Sequence, residues 1–473
     1  MQEPFYHNDK EEMQNLLRKF ENLLSGSNQS FLDEESFEKI IDFFDEKDDL
    51  NRALEAAEIA VLQYPYSASL LVKKADLLIA TRRYTEALDN LEKAEILDNG
   101  DIDIYILKTD VFLALDEHEK AVALLEDAIA FFEGDNRIDL LFELADVYDD
   151  YEEFDKVFDC LSLILKYDPN NEEALYKICF WADYTGRSEE SIRLHQQIVD
   201  NFPYNELAWF NLGTAFQTLK LYEKSIDAYK YALVINERFD YAYRNMADAY
   251  IRLRKYRDAI ESLEKVIELA RPEDIIYEAI GHCYDKLKQY AQARFYYKKA
   301  SHLNTEDSKI YYKIARTYIN EQSYAKAIQY LEIAMRTHRI QPEFNLAMGE
   351  CLSKLGNIKE AVIHFSNVVK ARPRGIAGWE ALIRCLYQND FQAEALEQIE
   401  NARQIAGEKP LFLFYQSAIL FAMRKSKEAL LVLQKAMEKA PKLVKKFIAL
   451  NPAILQNQSV VDLIAYYKRK RSF

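Results

Sequence analysis

Ala208–Leu233, AWFNLGTAFQTLKLYEKSIDAYKYAL, and Ala242–Ile267, AYRNMADAYIRLRKYRDAIESLEKVI, align without a gap at an offset of 34 residues. The register continues downstream through blocks that begin near Glu206, Asp240, Asp274, Ser308, Pro342, Ile376 and Pro410, and upstream through Glu172 and Ile138. One step of 36, from two extra residues near Glu133–Asp135, leads back to Ile102, Ala68 and Glu34. Twelve blocks result. A fixed period of this length marks stacked supersecondary units, not a set of independent globular domains.

Within a block the apolar spacing is helical. A bulky residue (Leu71, Trp209, Tyr243, Tyr277) is followed four residues later by a small one (Ala75, Gly213, Ala247, Gly281), and often three further on by an aromatic (Phe216, Tyr250, Tyr284). The i, i+4, i+7 spacing puts all three on one helical face, and the small residue lets a neighbouring helix come close. A second helix has its own small positions, at Ala53, Ala87, Ala259 and Ala293, and seven residues later at Ala60, Ala94 and Ala300. Pro65, Pro169, Pro203, Pro373 and Pro441 fall at block junctions, where proline ends the backbone ladder. The register predicts at least 24 helices in antiparallel pairs and no sheet. Gly213, Gly281 and Gly349 are expected to mark the closest helix contacts.

This pattern resembles the tetratricopeptide repeat, an antiparallel helix pair of 34 residues, over about residues 34–443. Thr109, Cys179, Ile383, Ser417 and Ile41 depart from the small first-helix residue, and Val157, Ser191 and Ser225 from the second-helix alanine. The resemblance implies an all-α superhelical solenoid whose first helices line an inner groove suited to an extended peptide or a helix. Residues 1–33 then read as a segment with an amphipathic run, Glu11–Leu24, that caps the first repeat or docks a partner. Residues 444–473 read as C-terminal capping helices, with Phe447, Leu450, Val460, Leu463 and Ile464 as the capping face and a basic tail of Lys468, Arg469, Lys470 and Arg471. That tail is a solvated end, a nucleic-acid or ribosome contact, or a contact with protein or membrane surface.

In this family the second, fifth, ninth and twelfth residues of the first helix face inward. Carried onto this chain, they give Phe210 in the block at Glu206, Tyr241, Arg244 and Asp248 in the block at Asp240, and Lys309, Tyr312 and Arg316 in the block at Ser308. The block at Ile138 gives Asp139, Asp146 and Asp149, an acid-lined stretch. Aromatics and arginines are common interface anchors, so the seventh to ninth blocks are the expected peptide-contact surface. Some relatives capture acidic chaperone tails through paired Lys and Asn. Here Asn245 has the right type in a plausible place but no matching pairs surround it.

Composition agrees with this reading. Glycine and proline total 21 of 473 residues, about a third of the usual share, which favours long helical runs. Residues 1–200 carry 19 Lys/Arg against 48 Asp/Glu, and the remainder 42 against 30, so an acidic part precedes a basic one. The N-terminal stretch lacks a basic region followed by an apolar run, no apolar window reaches membrane-spanning length, and the five cysteines form no CxxC pair. A reduced, cytoplasmic chain is expected.

The chemistry of catalysis does not surface. No phosphate-binding loop, nucleophile elbow, HExxH or Cys/His cluster is present. His282 precedes Cys283, but adjacent helical residues point about 100° apart. Cys283, Cys351 and Cys385 share one slot in three blocks, which Trp181 also occupies, so the slot reads as packing. His195 falls on a packing slot shared with Tyr229 and Leu263. The expectation is a non-catalytic, metal-free and cofactor-free scaffold or adaptor that binds a protein or peptide. The alternative is an RNA- or ribosome-associated factor using the basic half.

Overall fold

The computed structural model describes residues 5–25, 31–271, 273–337 and 341–469. Among the described residues every regular element is helical and no strand forms. Each block folds as expected into two helices, for example Glu206–Thr218 with Tyr222–Ile235 and Asp274–Lys286 with Tyr290–Leu303. The fold is an all-α solenoid of consecutive antiparallel helix pairs. First helices open on polar caps: Asn171 Oδ1 accepts from the Ala174 N–H at 3.0 Å and Asn205 Oδ1 from the Ala208 N–H at 2.8 Å.

Packing divides the chain into two units, Met1–Ala242 and Tyr243–Phe473. In both, a first helix packs on the second helix of its own block and, in many blocks, on the first helix of the next. The first helices therefore form an inner row. The buried layer between the helix rows consists of alanines and branched or aromatic side chains, such as Ala75, Leu91 and Leu125 in the first unit and Ala293, Tyr297 and Ile314 in the second.

The turn inside each pair is uniform. In the block at Asp274, the Lys288 N–H donates to the Asp285 carbonyl and the Gln289 N–H to the Tyr284 carbonyl, both at 2.9 Å. This reciprocal pair ends the helix with Lys288 in the left-handed region, at φ 60°. The equivalent residue is Gly186 in one block and Gly356 in another, but Arg82, Lys220, Arg254 and Gln322 among others. A side chain there costs about 1–2 kcal/mol, of which glycine's extra unfolded-state freedom cancels about 0.5–1. The exposed trio Arg254→Gly, Lys288→Gly and Gln322→Gly should thus raise unfolding stability by about 2 kcal/mol in total, since the sites are separate. A urea titration that gives an unchanged or lower midpoint refutes the assignment of strain to this position.

The ends pack on the repeats. Phe20 of the helix Phe5–Leu24 is buried, its ring 6.3 Å from that of Phe44. At the other end Phe447 is buried against Phe414 at 5.9 Å, and Val460 and Ile464 are buried as well, while Leu450 and Leu463 are half-buried. The helix Val444–Leu450 returns onto the first helix of the eleventh block: Lys446 Nζ pairs with Glu380 at 2.9 Å, and Asn451 Nδ2 donates to Tyr387 Oη at 3.0 Å. Of the basic tail, Lys470 and Arg471 and the side chains of Lys468 and Arg469 lie outside the described residues.

Candidate functional site

The inner row of the first unit carries two neighbouring features. The ninth position of the first helix is aspartate in four successive blocks, Asp42, Asp76, Asp110 and Asp146, all exposed. The outer two are engaged, Asp42 by Lys73 at 2.5 Å and Asp146 by Lys177 at 3.8 Å. Between them, Asp76, Asp110 and Glu143 form no ion pair among the described residues. Desolvation first, and neighbouring carboxylates second, push all three carboxyls upward: Asp110 feels Asp76, and Glu143 feels Asp110 and Asp146. Of the expected acidic residues, Asp139, Asp146 and Asp149 are exposed, and Asp149 adds to the charge around Asp146.

The second feature begins one helix further on. Glu172–Tyr184 presents Tyr176, Phe180 and Tyr184 at i, i+4 and i+8, exposed by 63, 60 and 60%. Phe180 lies 5.9 Å from Tyr184 and 5.0 Å from Trp181. With Leu207, Phe210 and Thr214 of the next first helix, the three rings line a cavity of about 390 Å³. Phe210 is half-buried, 5.7 Å from Tyr229 and 5.0 Å from Phe239, and Tyr241 stands exposed 6.5 Å from Phe239. The repeat register already held this surface, because Tyr176 and Phe180 are fifth and ninth residues and Asp42, Asp76 and Asp110 ninth residues. The expected groove residues come from the blocks at Glu206, Asp240 and Ser308 and from the acidic block at Ile138, and leave out the block at Glu172.

In the second unit the expected anchors are spread out. Arg244 forms a two-pronged pair with Glu273, at 2.7 and 3.0 Å, which ties its helix to the start of the next first helix. Asp248 lies 3.5 Å from Arg252, and Asn245 is half-buried beside them. Tyr312 leans on Phe344 at 5.0 Å, and Lys309 and Arg316 are exposed. A cavity of about 500 Å³ lies further along the inner row, lined by Glu350, Arg384, Glu380, Tyr415 and Lys446. Four of its charges are engaged in pairs: Arg384 approaches Glu350 at 3.9 Å, and Lys446 pairs with Glu380, which also accepts from Tyr415 Oη at 3.2 Å.

Four of the five cysteines are buried, and Cys179 is half-buried at the edge of the aromatic cavity. All five cysteines are free, and burial pushes the Cys160, Cys283 and Cys351 thiols up to about 12. A thiol held that high is a poor nucleophile and a poor metal ligand. His195 is fully buried. Among the described residues no group of three or more His, Cys, Asp and Glu is placed to hold a metal ion, and no helix is long and apolar enough to cross a membrane. The architecture is typical of non-catalytic scaffolds, and its surfaces are those of a protein–protein interaction module.

Residues 208–355 match the family model of the tetratricopeptide repeat protein 21 C-terminal ARM domain, and residues 44–102 match a tetratricopeptide-repeat model. No curated protein matches the sequence. Among solved structures, the chain is similar to the C-terminal part of a TPR repeat-containing protein from Cytophaga hutchinsonii, at 19% identity and a TM-score of 0.44, over 54% of this chain and 99% of that one. It is also similar to the APC/C hetero-tetramer Cut9–Hcn1, at 11% identity and 0.36 over 82 and 97%, and to YrrB, a TPR protein with an unusual peptide-binding site, at 16% and 0.36 over 40 and 96%. Residues 44–102 and 208–355 are thus matched to tetratricopeptide-repeat models, and the same 34-residue register and helix-pair fold run through the blocks between and beyond them.

Proposed function

We propose that the chain is a scaffold or adaptor whose inner first-helix row holds a segment of a partner protein. The observation that carries this reading is the placement of exposed aromatic and charged side chains, Phe180, Tyr241, Lys309 and Arg316 among them, on the row where first helices face outward from the core. Rings supply apolar contact area at little rotamer cost, and arginine supplies paired bonds to carboxylates.

Capture of partners from lysate by the immobilised full chain, with and without nuclease, tests it. Protein partners retained after nuclease treatment are the expected result. Loss of all partners on nuclease treatment favours the RNA- or ribosome-associated reading, and no specific capture refutes the scaffold. Replacing Tyr241, Arg244 and Arg316 together by alanine should remove capture if the expected anchors form the site. Because Arg244 is tied to Glu273, the melting curve of the triple variant is recorded alongside.

A further inference from the structure

The first unit joins an exposed aromatic stripe to a row of carboxylates. The link is continuous, since Lys177, which reaches Asp146 at 3.8 Å, sits on the same helix as Tyr176 and Phe180. Three adjacent rings, each more than half exposed, leave apolar area open to water, and such patches mark interaction surfaces. The adjoining Asp76, Asp110 and Glu143 repel one another and lack ion pairs among the described residues, so a ligand that brings cations relieves that repulsion. An excess of 29 negative charges in residues 1–200 would steer a cationic segment toward this unit and turn phosphate-rich polymers away.

We infer that the inner row of the first unit docks a basic amphipathic peptide segment of a partner protein, with apolar side chains on Tyr176, Phe180, Tyr184 and Phe210 and Lys or Arg side chains along Asp76, Asp110 and Glu143. This rests on the scaffold reading and gives it a partner chemistry, at a place distinct from the Arg244 and Arg316 anchors. The aromatic end supplies affinity by burying rings against apolar side chains, and the carboxylate row supplies selectivity and association rate. Neither feature suffices alone: a plain polycation lacks the anchor, and an apolar peptide lacks the charge.

The test uses the full chain and three fluorescein-labelled probe peptides, read by anisotropy. The first combines Phe and Leu with a run of lysines, the second replaces the lysines with glutamates, and the third replaces Phe and Leu with glycine. The first probe is expected to bind at least about tenfold more tightly than the others, equivalent to about 1.4 kcal/mol, and to weaken as salt is raised. The variants Asp76→Asn/Asp110→Asn/Glu143→Gln and Phe180→Ala/Tyr184→Ala should each weaken it by about tenfold with unchanged circular dichroism. Absence of binding by the first probe, equal binding of the three probes, or full affinity in either variant overturns the inference. Failure of the scaffold reading looks different: there the wild-type chain captures no protein from lysate. Partners captured equally by wild type and both variants would leave the scaffold standing and remove this site.

Discussion

Replacing Gly281 by alanine should destabilise the chain by about 1–3 kcal/mol, although the same change on an exposed helix gains about 0.5–1 kcal/mol. A Cβ at Gly281 would lie 2.6 Å from Tyr297 Cδ1 and 2.7 Å from Cε1. Tyr297 belongs to the second helix of the same block and is almost wholly buried, so its ring has nowhere to retreat. Gly213 meets Tyr229 at 2.5 Å and Gly349 meets Phe365 at 2.6 Å in the same way. Read along the repeat, the small first-helix position and the residue sixteen later vary together. Glycine pairs with Tyr or Phe, Ala75, Ala145, Ala247 and Ala315 pair with Leu91, Leu161, Leu263 and Leu331, and Ile41 pairs with Ala57. In these blocks volume is conserved across the pair, as a close-packed interface requires, whereas the eleventh block buries two large residues, Ile383 and Ile399. The double variant Gly281→Ala/Tyr297→Leu should therefore recover most of the lost stability, because it installs the pair used in both neighbouring blocks. Denaturant titrations of the three proteins settle the matter. A Gly281→Ala chain as stable as wild type, or a double variant no better than the single, contradicts the close contact.

These pairs mark where sequence reading stops. The 34-residue register gives helix, pairing and stacking, and it gives the small positions, because each is a local periodic property. It does not say which ring fills the space left by a glycine. That partner sits across a turn whose geometry sets the offset. The turn itself is hidden for a related reason: glycine would have signalled the left-handed residue, but Arg82, Lys220, Arg254 and Lys288 carry no such mark, and the backbone bonds alone hold them there. The return of Val444–Leu450 to Glu380 and Tyr387 spans more than sixty residues and follows no repeat. On the candidate site, charge composition located the acidic part of the chain, and the register located single positions. That Asp76, Asp110 and Glu143 sense one another is a matter of distances between blocks, which composition does not encode.

One buried side chain, His195, should withdraw about 2 kcal/mol of stability from the chain between about pH 7 and pH 5. His195 occupies the slot that Tyr229, Leu263 and Tyr297 fill in other blocks, and it is completely buried. Its Nδ1 lies 2.8 Å from the Ser191 carbonyl, an atom that only accepts, so Nδ1 carries the proton. Nε2 is then bare and accepts from Asn211 Nδ2 at 3.2 Å, and Asn211 donates its other hydrogen to the Leu175 carbonyl at 2.7 Å. The neutral ring is thus fully satisfied, whereas a second proton on Nε2 would face the Asn211 amide hydrogens. Burial lowers the pKa from the usual 6.5 to about 4. Between these two values the unfolded chain binds a proton that the native chain refuses. The contribution to stability is whole above pH 6.5 and is lost progressively down to about pH 4, where it has fallen by about 3 kcal/mol. Carboxyls such as Asp76 and Glu143, which are pushed upward in the native state, act in the opposite direction as pH falls, so the raw pH profile mixes the two. The variant His195→Gln separates them, because its amide oxygen can still accept from Asn211 and it does not titrate. The stability difference between wild type and variant, taken from urea titrations at successive pH values, should be constant above pH 7 and shift in the variant's favour by about 2 kcal/mol at pH 5. A difference that stays flat down to pH 4.5 would mean that the buried imidazole accepts its proton in the folded chain, and that the Ser191–His195–Asn211 arrangement opens readily.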